Sequence, residues 1–167
     1  GNKQEANEKA PVWKTGGWNN TEYARMLCDI NGDGLPDVIG FGSTQTSVWW
    51  NSGKSFAQRD SRLGNGSVTT AFTRDSGGWK VDEHRRTCAD VNGDGMADIV
   101  GFGSNKTIVY ISTGRGLVHF ADINNFGSSK WEFTEEIRGV QDLNADGLAD
   151  IYGFESSGKI LAAFGTG

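Results

Sequence analysis

Short apolar runs separated by glycine-rich turns recur along this chain, and each run alternates or doubles β-branched and aromatic residues as a strand does. The spacing predicts strands at Arg25–Asp29, Asp37–Phe41, Ser47–Asn51 and Ser55–Arg59 in a first unit, and at His84–Asp90, Asp98–Phe102, Thr107–Ser112 and Leu117–Ala121 in a second. A third unit supplies Glu136–Asp142, Asp150–Phe154 and Lys159–Phe164. With one strand before Trp18, that makes twelve. No segment carries a helical period.

Between the first two strands of every unit lies the same loop: Asp29 to Phe41 (DINGDGLPDVIGF), Asp90 to Phe102 (DVNGDGMADIVGF) and Asp142 to Phe154 (DLNADGLADIYGF). Carboxylate or amide oxygens fall at loop positions 1, 3, 5 and 9, and glycine at position 6 permits a sharp bend. The candidate metal ligands are therefore Asp29, Asn31, Asp33, Leu35 and Asp37; Asp90, Asn92, Asp94, Met96 and Asp98; and Asp142, Asn144, Asp146, Leu148 and Asp150, with Leu35, Met96 and Leu148 offering backbone carbonyls. The spacing resembles the start of a helix–loop–helix calcium hand, but glycine replaces the glutamate of position 12, so the loop joins strands. Asx-rich turns without metal are the plain alternative. Three copies that all keep the position-9 carboxylate favour Ca2+, about one structural ion per repeat.

Aligning the loops shows the repeat extending upstream. A tryptophan stands eleven residues before each first aspartate (Trp18, Trp79, Trp131), a glutamate seven before (Glu22, Glu83, Glu135) and an arginine four before (Arg25, Arg86, Arg138). The period is 61 residues from Asp29 to Asp90 and 52 from Asp90 to Asp142. Four strands in such a period read as a propeller blade. The fold class is all-β: three four-stranded antiparallel blades in permuted phase. We divide the chain into a tail and closing strand at 1–15 and repeats at 16–76, 77–128 and 129–167, the last lacking its fourth strand. Three blades do not close a ring. Closure then requires a head-to-tail homo-oligomer or further blades of a longer propeller.

Composition changes this picture little. The 167 residues hold 25 glycines, 9 phenylalanines and 6 tryptophans, as expected of many tight turns and short strands. No apolar run is long enough for a membrane span, and the first residues are too polar for a signal peptide. The net charge is −5, which three calcium ions would carry to +1, and no basic stripe suggests nucleic acid. Cys28 and Cys88 stand one and two residues before their aspartates, out of phase on their strands, and are read as two buried free thiols.

The motif DxNxDGxxD followed by GF resembles the FG-GAP/VCBS repeats of integrin α-subunit propellers. Gly77-Gly78-Trp79-Lys80-Val81-Asp82-Glu83-His84-Arg85-Arg86 and the loop after it are similar, more narrowly, to the repeat of the Psathyrella velutina lectin family. That resemblance implies calcium-containing propellers that bind N-acetylglucosamine or related terminal sugars between blades. It also implies a role for His84, which Tyr23 and Glu136 replace in the other units.

Sugar recognition suits the inventory, because an aromatic face covers the C–H patch of a pyranose while guanidinium groups satisfy hydroxyls. Candidate ligand-binding residues are Trp18, Arg25, Trp79, His84, Arg86, Trp131 and Arg138. Against this, a tryptophan repeated once per blade also serves as inter-blade core, and a repeated Glu/Arg pair as an ion pair. Trp49 and Trp50 form either an aromatic platform or a packing contact. No nucleophile-elbow or phosphate-loop motif occurs, so catalysis is not expected. The expectation is a non-catalytic, multivalent lectin with glycan partners in an extracellular or cell-surface setting, where the sequons at Asn19, Asn65 and Asn105 could be used. An integrin-like adhesion module binding protein is the alternative.

Overall fold

A computed structural model describes residues 21–58, 67–124 and 137–166. Three antiparallel sheets follow one another. Blade 1 contains β1 (Arg25–Cys28), β2 (Asp37–Phe41), β3 (Thr46–Asn51), β4 (Phe56–Gln58) and β5 (Ser67–Thr69). A single helical turn, α1 (Arg74–Gly77), leads to blade 2, with β6 (Arg85–Ala89), β7 (Asp98–Phe102), β8 (Thr107–Ser112) and β9 (Leu117–Ile123). Blade 3 has β10 (Ile137–Gln141), β11 (Asp150–Phe154) and β12 (Ile160–Ala163). The chain is therefore all-β, built of propeller blades whose strands pair with their neighbours in sequence order, except that β5 pairs with β3.

The second strands β2, β7 and β11 coincide with their predicted bounds, because a buried aspartate at the end of the loop and a GF pair delimit each. The strand foreseen before Trp18 lies outside the described residues. The fourth position of blade 1 is split instead. β4 pairs with Trp49–Asn51 and β5 with Thr46–Ser47, so both lie on one edge of β3. In blade 2 a continuous β9 covers the same edge, with a register shift between Val109 and Tyr110. The extra residues of the 61-residue period enter at the place where blade 2 has its bulge.

The core lies between blades. One cluster joins blades 1 and 2 through Cys28, Ile30, Ile39, Phe41, Phe72, Trp79, Ile99 and Leu117. Another joins blades 2 and 3 through Val100, Phe102, Val109 and Ile151. Successive residues of β7 face opposite neighbours, Ile99 toward blade 1 and Val100 toward blade 3. All five residues of β7 are buried as a result.

The two cysteines are not free thiols. Cys28 and Cys88 form a disulfide across the first two blades, with Cα atoms 6.4 Å apart. Being out of phase, taken above as evidence against a bridge, is the geometry that the bridge requires. Adjacent blades meet through opposite faces, so the side of β1 turned to blade 2 and the side of β6 turned to blade 1 carry residues of opposite parity.

Candidate functional site: the loops and crevices between blades

Each aspartate-rich loop is closed by its own side chains. In blade 1, Asp29 Oδ1 accepts from the amides of Gly32 (2.8 Å) and Asp33 (3.1 Å), and Oδ2 accepts from Gly34 (2.7 Å). Asn31 Oδ1 accepts from the Asp33 amide at 3.0 Å, while Asn31 Nδ2 donates to Asp33 Oδ2 at 2.9 Å. The same pattern returns around Asp90 and Asp142.

The position-9 aspartates have a different task. Asp37, Asp98 and Asp150 are fully buried. Asp98 accepts from the Val91 amide at 3.0 Å and from the Ser112 amide at 2.7 Å, tying the loop to the end of β8. Asp37 does so with Ile30 and Asn51, and Asp150 with Leu143 and Gly165. This carboxylate is thus needed by the backbone with or without a metal. Burial pushes the Asp98 carboxyl up to about 6, with Asp94 and Asp90 adding repulsion, and Asp37 shifts in the same direction.

The donor chemistry of the loops, carboxylate and amide oxygens, fits a hard cation. Among the described residues no three acidic, histidine or cysteine side chains converge as a metal site. The position-7 residues do more than offer carbonyls. A Cβ on Gly32 would meet Met96 Cγ at 3.1 Å, and one on Gly93 would meet Leu148 Cδ2 at 2.8 Å, so each loop rests on its predecessor. Backbone bonds reinforce this, with the Ala97 amide donating to Asp29 O at 2.7 Å and Ala149 to Asp90 O at 2.8 Å.

The crevice between blades 1 and 2 gathers three of the candidate binding residues. Trp79 and His84 rings lie 5.2 Å apart, and the Arg86 guanidinium sits 5.1 Å from the Trp79 ring and 5.2 Å from that of Phe41. Trp79 is 6% exposed and packs edge-on against Phe72 at 4.8 Å. A Cβ on Gly101 would strike both Phe72 and Trp79, which is why the GF pair begins with glycine. Arg86 donates to the carbonyls of His84 (3.1 Å), Phe72 (3.2 Å) and Lys80 (3.4 Å); among the described residues its Nε–H has no partner. Burial lowers its pKa to about 10, leaving it charged at neutral pH.

His84 is equally committed. Its Nδ1 accepts from the Lys80 amide at 3.1 Å, so the proton sits on Nε2, which donates to Ser104 Oγ at 2.9 Å. Burial lowers the His84 pKa, and the nearby cations Arg86, Lys80 and Arg138 push the same way against Glu83. Glu83 pairs with Lys80 at 2.5 Å, not with Arg86 as the repeated Glu/Arg spacing suggested.

In blade 3, Arg138 occupies the Arg86 position, 4% exposed, lying 5.3 Å from the Phe102 ring and donating to Gly103 O at 3.2 Å. Arg25 faces Gly40 on β1, as Arg86 faces Gly101 and Arg138 faces Gly153. Trp18 and Trp131 lie outside the described residues. Trp49 is buried and Trp50 packs partly buried against the first core, so neither forms an exposed platform. Sequence reasoning missed Phe72, which has no counterpart in the other units, and Ser104, whose recurrence as Ser43 and Ser156 fourteen residues after each first aspartate was the available signal.

The fold and loops now have known counterparts. Residues 90–153 match the FG-GAP-like repeat, so the chain carries one over the second blade and into the third. A solved lectin from Agrocybe aegerita, studied for specific recognition of non-reducing terminal N-acetylglucosamine, superposes with a TM-score of 0.80 at 34% identity over 93% of this chain. The chain spans 38% of that lectin's length. A TcdB2–TccC3–Cdc42 complex shares the fold alone, with a TM-score of 0.62 at 16% identity over 87% of this chain and 7% of the matched one. A comparison with curated proteins finds no match.

Proposed function

We propose that the chain is a non-catalytic carbohydrate-binding propeller unit for N-acetylglucosamine-type terminal sugars, with calcium in its loops as a structural ion. The observation that carries this reading is the similarity to the Agrocybe aegerita lectin through nearly the whole chain. The crevice between blades 1 and 2 supplies suitable chemistry at its mouth, where Lys80, Glu83 and Ser104 are exposed above the Trp79–His84–Arg86 cluster. In this reading the buried three position the rim, and the rim meets sugar hydroxyls. A site in each crevice of an assembled ring would make weak binding multivalent. The disulfide supports an oxidising, extracellular or cell-surface setting.

No specific observation favours the protein-binding adhesion module. A glycan array probed with the folded protein, with and without free N-acetylglucosamine as competitor, tests the reading. Competable binding to terminal N-acetylglucosamine is expected; a folded protein that binds no glycan overturns it. Glu83→Ala should weaken binding while leaving the melting temperature nearly unchanged, whereas Ser104→Ala, which also strands His84 Nε2–H, should weaken binding and lower the melting temperature modestly. Arg86→Met should lower the melting temperature.

A further inference from the structure

The turn at Lys80–His84, at the mouth of the crevice between blades 1 and 2, is closed by one side chain. The His84 amide donates to Lys80 O at 3.1 Å, and the Lys80 amide donates in return to His84 Nδ1 at 3.1 Å. The second bond exists only while Nδ1 keeps its lone pair. On the far side of the ring Nε2–H donates to Ser104 Oγ at 2.9 Å, so the neutral imidazole has its one proton and its one acceptor both in use. Lys80, Asp82 and Glu83 of this turn are exposed, whereas His84 is 9% exposed.

An imidazolium does not fit this place. With protons on both nitrogens, Nδ1–H would meet the Lys80 N–H donor against donor, and that amide would lose its acceptor. The added charge is poorly supported as well. Arg86 on β6, which donates to the carbonyls of His84 and Lys80, opposes it, as do Lys80 in the turn and Arg138 on β10. Glu83 favours it, but is exposed and already paired with Lys80. The other two partners of the ring, Trp79 and Ser104, are neutral. The first and third units carry Tyr23 and Glu136 at this position, and neither exchanges an acceptor for a donor in the range where histidine titrates.

We propose that His84 is a pH-operated latch on the crevice rim: when the ring takes up a second proton the turn from Lys80 to His84 opens, Lys80 and Glu83 leave their places, and the crevice releases its sugar. The release rests on the reading of this crevice as the glycan site; the opening of the turn does not. His84 is in this sense a positioning residue, holding the rim without touching the ligand.

NMR of the sugar-free full chain tests the opening, and calorimetry with N-acetylglucosamine tests the release. The His84 ring should titrate below the ordinary value of about 6.5, and the Lys80 amide should lose its protection from hydrogen exchange, relative to its intrinsic rate, along the same curve. Affinity should fall by about tenfold for each pH unit below that titration. His84→Gln separates the latch from the carboxylates that also titrate, since a glutamine amide accepts and donates without changing charge. Whatever its affinity at neutral pH, the variant should keep that affinity within about twofold across the same range. A cooperative melt at each pH distinguishes opening of the turn from global unfolding. A Lys80 amide that stays protected while His84 titrates overturns the latch, as does a ring that never titrates in the folded protein. Binding that persists while the amide opens, or a His84→Gln variant with the unaltered pH dependence, overturns the coupling to sugar. A protein that binds no N-acetylglucosamine even at neutral pH contradicts the glycan reading instead, and the amide then decides the latch.

Discussion

The two junctions within the chain use one frame and fill it differently. Between blades 1 and 2, Arg86 lies between Phe41 and Trp79, Phe72 presses on Gly101, Ser112 Oγ donates to Ile30 O at 2.6 Å, and a disulfide crosses the gap. Between blades 2 and 3, Arg138 still lies over Phe102, but a cavity of about 160 Å³ opens among Val91, Val109, Phe120, Ile151 and Phe164. Leu117, at the start of β9, is buried in the core between blades 1 and 2 and helps fill that junction. The arginine on the preceding blade's phenylalanine is the constant part of the junction; the rest is local filling.

The largest way to break the first junction is to remove its covalent link. Cys28→Ala with Cys88→Ala deletes a crosslink of sequence separation 60. The chain-entropy model puts the loss at about 4 kcal/mol. Denaturant unfolding with and without reductant measures it, and an unchanged midpoint would show that the bridge does not form. Next comes the buried aspartate. Asp98→Ala strands the Val91 and Ser112 amides and should cost about 3 kcal/mol. Asp150→Ala should cost less, because the amides it frees, Leu143 and Gly165, are only partly buried. Equal losses would contradict the contrast between a covered and an open junction.

Smaller effects sharpen the picture. Ala145 adopts φ +62°, a left-handed conformation that an L-residue enters at a cost of about 1 kcal/mol. Ala145→Gly should stabilise by a comparable amount in thermal melts, whereas Gly93→Ala should destabilise because Leu148 fills the space. The smallest effect is the His84 titration. Its folded-state pKa lies below the ordinary histidine value, so the unfolded chain binds the extra proton first. Stability should therefore fall as pH drops below about 6.5 and level off beneath the folded pKa. His84→Gln should flatten that slope.

Much of the fold was legible because three copies of one pattern constrain each other. The GF pair and the aspartate of position 9 bound the second strand in every unit, and the structure keeps those bounds. The split edge of blade 1 was hidden, since an insertion at a bulge leaves no periodic trace. The cysteines misled because parity was judged within one sheet, whereas the bridge joins opposite faces of two. In the same way, Trp79, His84 and Arg86 were rightly grouped, but periodicity does not tell a crevice wall from its mouth. Glu83 followed the repeat spacing yet pairs with Lys80, a residue the repeat does not contain. The position-9 carboxylate looked redundant in a turn without metal because its partner amide, from Ser112 in blade 2, lies a whole hairpin away.

The arginine is the recurring link from blade to blade. A double-mutant cycle between Arg138 and Phe102, each changed singly and together to Met and Leu and followed by denaturant unfolding, addresses that link directly. A coupling of about 1 kcal/mol or more is predicted for a desolvated guanidinium over a ring. Strictly additive losses would show that Arg138 and Phe102 do not act together, and would contradict the account.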